Sequence, residues 1–292
     1  VSRKISGKLL IGVAALALAG CGGGSGGPGG PGGPKGTFTN FPLKEGKTTI
    51  TGHGREATYT ADQQGLDLSQ FGPSSTVQAD VQVDAEGETA SVRLKTDSTE
   101  KTWDGSNADL DYVGNGKIVR AEAQDGSLIG FADPEVNGFT YQTYGAWLTG
   151  NEDSGRVGAF SVGNETAAAD IPSSSTATFK GTAAGIYADA AGEDDIMSAD
   201  AALDVNFATK TAQFSTSNTV LAKGGAAGDL DMSGDLAIGA SGLTGNIKTA
   251  DNSMSGTADG RFYGPGAAEV GGTFELRGQN GAMAGGYGAV KQ

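Results

Sequence analysis

A chain of 292 residues with 51 glycines, 18% charged residues and one histidine does not have the composition of a helical enzyme. Its formal net charge of -14 repels phosphate backbones and anionic headgroups, which argues against nucleic acid and against peripheral electrostatic membrane binding. Glycine, threonine, serine, aspartate and asparagine recur between short alternating segments, the pattern of an all-β protein with many turns.

Arg3, Lys4 and Lys8 flank the start of an apolar run over residues 9–19. The run is too short to span a bilayer and predicts a secretory signal peptide over residues 1–20. Leu18-Ala19-Gly20-Cys21 resembles the bacterial lipobox, in which the cysteine is lipidated and becomes the new amino terminus. Cys21 is the only cysteine, so no disulfide competes for it. Two or more acyl chains, at about 0.8 kcal/mol per buried methylene, give stable anchoring, so the membrane partner is expected through the N-terminal lipid. Gly22 stands where an aspartate would favour inner-membrane retention in such lipoproteins, which points to the outer membrane.

Residues 21–36 carry that cysteine and a Gly-rich stretch with three regularly spaced prolines, expected to be a disordered tether. The G-x-S-x-G and G-x-G-x-x-G matches at residues 22–27 lack a preceding strand and a following helix, so they carry no chemistry.

Residues 37–163 predict an antiparallel sheet. Val77, Ala79, Val81 and Val83 alternate with polar residues, a turn follows, and Val92 and Leu94 return, which is a hairpin with one buried and one wet face. Asp104-Gly105, Asn115-Gly116, Asp125-Gly126 and Asn137-Gly138 space further turns at roughly ten residues. Period-two counting puts Phe139, Tyr141 and Trp147 on one face and Tyr144 and Leu148 on the other, so both faces are covered or one aromatic face is used for binding, with burial the stronger expectation. The sole histidine, His53, has no second imidazole or thiolate with which to ligate haem and reads as a surface or turn residue. It also removes any catalytic or zinc constellation that needs more than one imidazole.

Residues 164–177 are small and polar with Pro172, the best linker candidate. Over residues 175–292 the alternating sets are Phe179 with Ala183 and Tyr187, Leu203 with Val205 and Phe207, Ala212 with Phe214, and Leu236 with Ile238. Leu243 with Ile247, Phe262, Phe274 with Leu276, and Tyr287 with Val290 follow. They make about eight strands, enough to close a small barrel with a side-chain-filled interior.

Near the end lies G-x-F-Y-G-P-x-A-x-E-x-G-G-x-F, formed by Gly260, Phe262, Tyr263, Gly264, Pro265, Glu269, Gly271, Gly272 and Phe274. This pattern resembles the C-terminal signature of the surface lipoproteins typified by transferrin-binding protein B, a family that includes factor H-binding protein. The resemblance implies a β handle subdomain followed by an eight-stranded antiparallel barrel, with length here for one lobe. It also implies cell-surface display, export by a surface lipoprotein assembly modulator and delivery to a TonB-dependent receptor. It places no ligand-binding residue.

Three groups invite a chemical reading. Glu269 lacks a second positioned acid or base, so a structural role bonding backbone at its hairpin is expected, not catalysis. Asp229 to Gly234 mimics the first half of an EF-hand loop, but Ala240 stands at the position of the bidentate glutamate and no flanking helices are expected. Glu193-Asp194-Asp195 is a charge cluster between barrel strands that could bind a cation or a basic partner, but it reads first as a solvated loop. No cofactor and no enzymatic activity are called for. The expectation is a lipoprotein that captures haem, a haem protein or a metal complex for a membrane transporter; the alternative is an adhesin or host-factor binder with no transport role.

Overall fold

The computed structural model describes residues 43–62, 65–113, 116–151, 153–191, 193–240, 242–279 and 281–292. The signal peptide, Cys21 and the tether lie outside these residues. The chain divides after Thr37, and every described element belongs to the unit Phe38–Gln292.

Ten strands form the first sheet: β1 (Gly46–Asp62), β2 (Gly65–Leu68), β3 (Gly72–Val83), β4 (Thr89–Lys95), β5 (Glu100–Asp104), β6 (Ala108–Val113), β7 (Ile118–Ala123), β8 (Leu128–Ala132), β9 (Gln142–Gly150) and β10 (Ser154–Gly163). Their order is β5-β4-β3-β1-β10-β9-β8-β7-β6, antiparallel throughout, with β2 beside the end of β1. The two ends of the order approach each other: Trp103 on β5 donates from Nε1 to Ser127 O at 3.1 Å, and Gln124 N reaches Asn107 O at 3.0 Å. The sheet is thereby nearly closed, around a core that includes Val77, Val92, Leu94, Trp103, Ile129 and Trp147.

The hairpin signal corresponds to β3 and β4, with Val81 opposite Val92 and Ala79 opposite Leu94. Its outer face is less wet than alternation implies. Asp80 is buried there under Lys47 at 2.9 Å and Arg93 at 3.0 Å. Asn137-Gly138 ends a short helix, α1 (Pro134–Asn137), instead of a strand hairpin. Asp133 caps that helix through Glu135 N and Val136 N, proline occupies its first turn, and Gly138 takes the left-handed conformation at φ 72°.

Eight longer strands build the second sheet: β11 (Thr176–Asp189), β12 (Asp194–Asn206), β13 (Thr211–Leu221), β15 (Met232–Gly239), β16 (Gly242–Thr249), β17 (Met254–Tyr263), β18 (Glu269–Gly278) and β19 (Gly281–Lys291), with the two-residue β14 (Gly225–Ala226) on β13. Each longer strand pairs with its sequence neighbour among them, and β19 returns to β11, so the ring closes and leaves no long free edge. Phe179, Phe214, Phe262, Phe274, Leu203 and Tyr287 fill its interior together with smaller residues. The architecture is all-β, an eight-stranded antiparallel barrel preceded by an antiparallel sheet.

Three period-two expectations fail at strand ends. Phe139 packs edge-on to Tyr144, ring centroids 6.1 Å apart, and not with Trp147, because β9 starts only at Gln142 and parity cannot be counted back past it. Tyr287 points into the barrel while Val290, an odd number of residues away, packs with Tyr144 outside it. Asp194 and Asp195 open β12, and Asp195 is buried instead of solvated.

Candidate functional site

The handle sheet and the barrel meet along one face, where β9 and β10 pack chiefly against β18 and β19. The side chain of Glu269, at the start of β18, crosses to the handle. Its Oε1 accepts from Thr140 N at 2.6 Å and its Oε2 from Tyr141 N at 3.2 Å. The expected bond to its own hairpin is therefore replaced by one to the segment entering β9. Burial pushes this carboxyl's pKa up to about 7, while the Thr140, Tyr141 and Gln142 backbone N–H groups hold it down.

The glycines around it leave room for handle side chains. A Cβ on Gly264, which has φ 72°, would sit 2.3 Å from the Tyr141 ring. A Cβ on Gly271 would meet the Gln142 amide at 2.3 Å, and one on Gly288 would meet the same amide from the other side, also at 2.3 Å. These positions are where handle and barrel touch most closely.

Polar clamps surround this contact. Arg55 on β1 is buried and donates to Thr273 Oγ1 at 2.9 Å, Thr257 Oγ1 at 2.9 Å and Asp259 Oδ2 at 2.5 Å. Tyr263 shares a 2.8 Å hydrogen bond with Ser161, and Tyr144 donates to Thr182 at 2.7 Å. His53 lies within β1 and not in a turn, opposite Ser161, where β3 carries an extra residue. Its Nε2 pairs with Glu165, whose carboxyl is held below its usual range first by that hydrogen bond. Residues 164–166 are tied to the barrel in turn: Thr166 N donates to Phe262 O at 2.8 Å and Gly264 N to Asn164 O at 2.9 Å.

Beside the interface, handle and barrel diverge into an open cleft of about 1180 Å³. Tyr59, Leu68, Phe71 and Leu148 line it from the handle, and Ile186, Ile196 and Met283 from the barrel. Asp125, Asp153, Glu193 and Asp194 stand exposed at its margin. Asp195 accepts from Lys223 N at 3.1 and 3.0 Å and from Gly224 N at 3.2 Å, which fixes the loop after β13.

Residues 171–291 match the family model for the C-lobe and N-lobe β-barrels of transferrin-binding protein B. The match covers the barrel and less than half of the chain. Among solved structures, a transferrin-binding protein B variant from Haemophilus parasuis is 13% identical with a TM-score of 0.43, covering 87% of this chain and 77% of that one. A variant from Actinobacillus pleuropneumoniae is 12% identical with a TM-score of 0.46, covering 82% and 99%. The N-lobe of lactoferrin-binding protein B from Moraxella bovis is 11% identical with a TM-score of 0.41, covering 82% and 99%. No protein of curated function matches the sequence.

The matched span 171–291 describes the barrels of a binding protein, and it includes the G-x-F-Y-G-P-x-A-x-E-x-G-G-x-F motif. Within it, Phe262 and Phe274 point into the barrel core, Tyr263 and Glu269 reach toward the handle, and Ala267 in the turn between β17 and β18 is buried. Gly260 and Gly272 allow close strand approach: a Cβ on Gly260 would meet the Tyr287 hydroxyl at 2.4 Å, and one on Gly272 would meet Asp259 O at 1.8 Å. Pro265 is exposed at the turn. Asp231, in the EF-hand-like stretch, instead accepts from Thr219 N at 3.0 Å and Thr219 Oγ1 at 2.6 Å. Among the described residues no group of three or more His, Cys, Asp or Glu could hold a metal ion, and no helix is long and apolar enough to cross a membrane.

The sequence marks neither Arg55 and Gln142 nor, Leu148 apart, the apolar residues of the cleft. An arginine or glutamine inside a strand carries no period that distinguishes an interface from a solvated face.

Proposed function

We propose that the chain is an outer-membrane lipoprotein, anchored through Cys21 and displayed on the cell surface, that captures a nutrient carrier for a membrane transporter. The domain plan behind this reading is a signal peptide over residues 1–20, a tether over 21–36, a handle over 37–163 and a barrel over 175–292. A TonB-dependent receptor is the proposed recipient, and a surface lipoprotein assembly modulator the proposed exporter.

The observation that carries the choice of ligand is the packing of the barrel. Its interior holds a continuous core of aromatic and aliphatic side chains, which supports binding on the outside of the lobe. That favours a carrier protein, such as a haem protein, over free haem or a small metal complex. The proteins named above for transferrin and lactoferrin make those two carriers the first to try.

Native mass spectrometry of the protein with haem, cobalamin and iron complexes, and separately with haemoglobin, transferrin and lactoferrin, tests this reading. A stoichiometric complex with a protein carrier is expected. A stoichiometric small-molecule adduct with no protein complex would overturn the choice of a carrier.

A further inference from the structure

The open cleft has an apolar floor and an acidic margin. Leu68, Phe71, Leu128, Leu148 and Ile196 are half-buried along the floor, each showing part of its surface to the opening. Glu122, Asp125, Asp153, Glu193 and Asp194 are exposed around it.

The cations that line the cleft are already engaged. Arg120 donates to both carboxylate oxygens of Asp111, at 2.9 and 2.7 Å, and lies 3.8 Å from Glu122. Lys223 donates from Nζ to the carbonyl of Asp194 at 2.7 Å. Asp125 is paired with Lys101, whereas Asp153 and Glu193 have no ion pair among the described residues. The margin therefore presents unneutralised negative charge above apolar surface.

The walls are held in place before any ligand arrives. Arg277 donates to Leu68 O at 2.6 Å and to Ser69 O, and its guanidinium lies 5.2 Å from the centre of the Phe71 ring. Tyr59 donates to Asn151 O at 2.7 Å and so fixes the base of the β9–β10 turn. Asp195 fixes the opposite wall through Lys223 N and Gly224 N. A groove fixed in this way is not charged the ordering cost on binding.

We propose that this cleft docks a basic polypeptide segment of a partner protein, with the segment's apolar side chains on the floor and its lysines or arginines at the margin. The proposal rests on the reading of the chain as a binding protein. Charge complementarity selects a cationic occupant. At about 1180 Å³ the cleft exceeds the usual 300–1,000 Å³ of a small-molecule site, which fits several residues of polypeptide. A second copy of this chain, with its formal charge of -14, would be repelled by the margin.

The probe is a fluorescent peptide of about twelve residues alternating lysine and leucine, which in extended form puts leucines on one face and lysines on the other. A glutamate-leucine peptide is the control. Anisotropy titrations with the whole protein should show binding of the first and none of the second, weakening as salt rises from about 0.05 M to 0.5 M.

The double variant D153K/E193K reverses two exposed, unpaired margin acids and should weaken the lysine-leucine peptide by about tenfold or more. D235K/E135K reverses two exposed acids that do not line the cleft and should stay within about twofold of the parent. Equal loss in both variants would mean general attraction to an acidic protein and would overturn the proposal. So would unchanged affinity in D153K/E193K.

Amide exchange gives a readout independent of the variants. Bound peptide should slow exchange at residues 146–151 and 193–197 and leave β15 and β16 unchanged; protection elsewhere only would also overturn the docking site. If a carrier complex forms equally with parent and D153K/E193K, carrier capture stands and the cleft assignment alone falls.

Discussion

Glu269 stands at the start of β18 with its carboxyl buried between barrel and handle. Sequence context suggested a bond within its own hairpin, yet its oxygens accept from Thr140 N and Tyr141 N across the interface. Its pKa is raised, first by burial, to about 7 from the ordinary 4.5. A carboxyl raised on folding binds its proton more tightly in the folded chain, so its stabilising contribution is complete below about pH 4.5 and declines as pH rises through about 7. Glu269→Gln cannot titrate and should flatten that part of the pH dependence, which urea midpoints for both proteins at about pH 5 and pH 8 would measure. Unchanged slopes would show that Glu269 is not the group responsible. The variant should also lose about 1–3 kcal/mol, because an amide has only one accepting oxygen for the N–H groups that converge there.

At the scale of elements, the sequence is most legible where one face of a strand is buried and the other wet. β3 with β4 and β12 with β13 follow period two closely, and their registers set Val81 opposite Val92 and Leu203 opposite Phe214. It is least legible where both faces are covered or a strand has just begun, as with Phe139 before β9 and Val290 near the end of β19. The charged residues that join the two sheets leave no periodic trace. Arg55 is the clearest: it sits in β1 among polar neighbours but is buried against β17 and β18. Arg55→Met keeps an apolar stem of similar length and removes the donors, leaving Asp259 and Thr273 without their partner. A loss of about 1.5–3 kcal/mol is expected by urea denaturation, with faster amide exchange at β1 and β18. A change below about 0.5 kcal/mol would mean that the Arg55 hydrogen bonds contribute little to holding the sheets together.

Over the whole molecule, the motif near the C-terminus does two jobs that a linear pattern does not separate. Phe262 and Phe274 fill the barrel, while Gly264, Glu269 and Gly271 shape the surface that receives Tyr141, Gln142 and the backbone of residues 140–141. The motif therefore marks the lobe and its assembly, and the cleft that could take a partner is formed by residues far apart in sequence. Tyr59, Phe71 and Ile196 come to line one cleft only after both sheets form, which is why no spacing rule finds them. The net charge, by contrast, is legible directly, since a sum over residues needs no tertiary context.

The central claim is an anchored lobe facing the cell exterior, where its cleft can meet a soluble partner. Trypsin treatment of intact producing cells, followed by immunoblotting, tests it most directly. The account predicts that the parent protein is degraded while a periplasmic control survives, and that Cys21→Ser abolishes the membrane-bound, trypsin-sensitive pool. Full protection of the parent on intact cells, with degradation only after the outer membrane is opened, would contradict it.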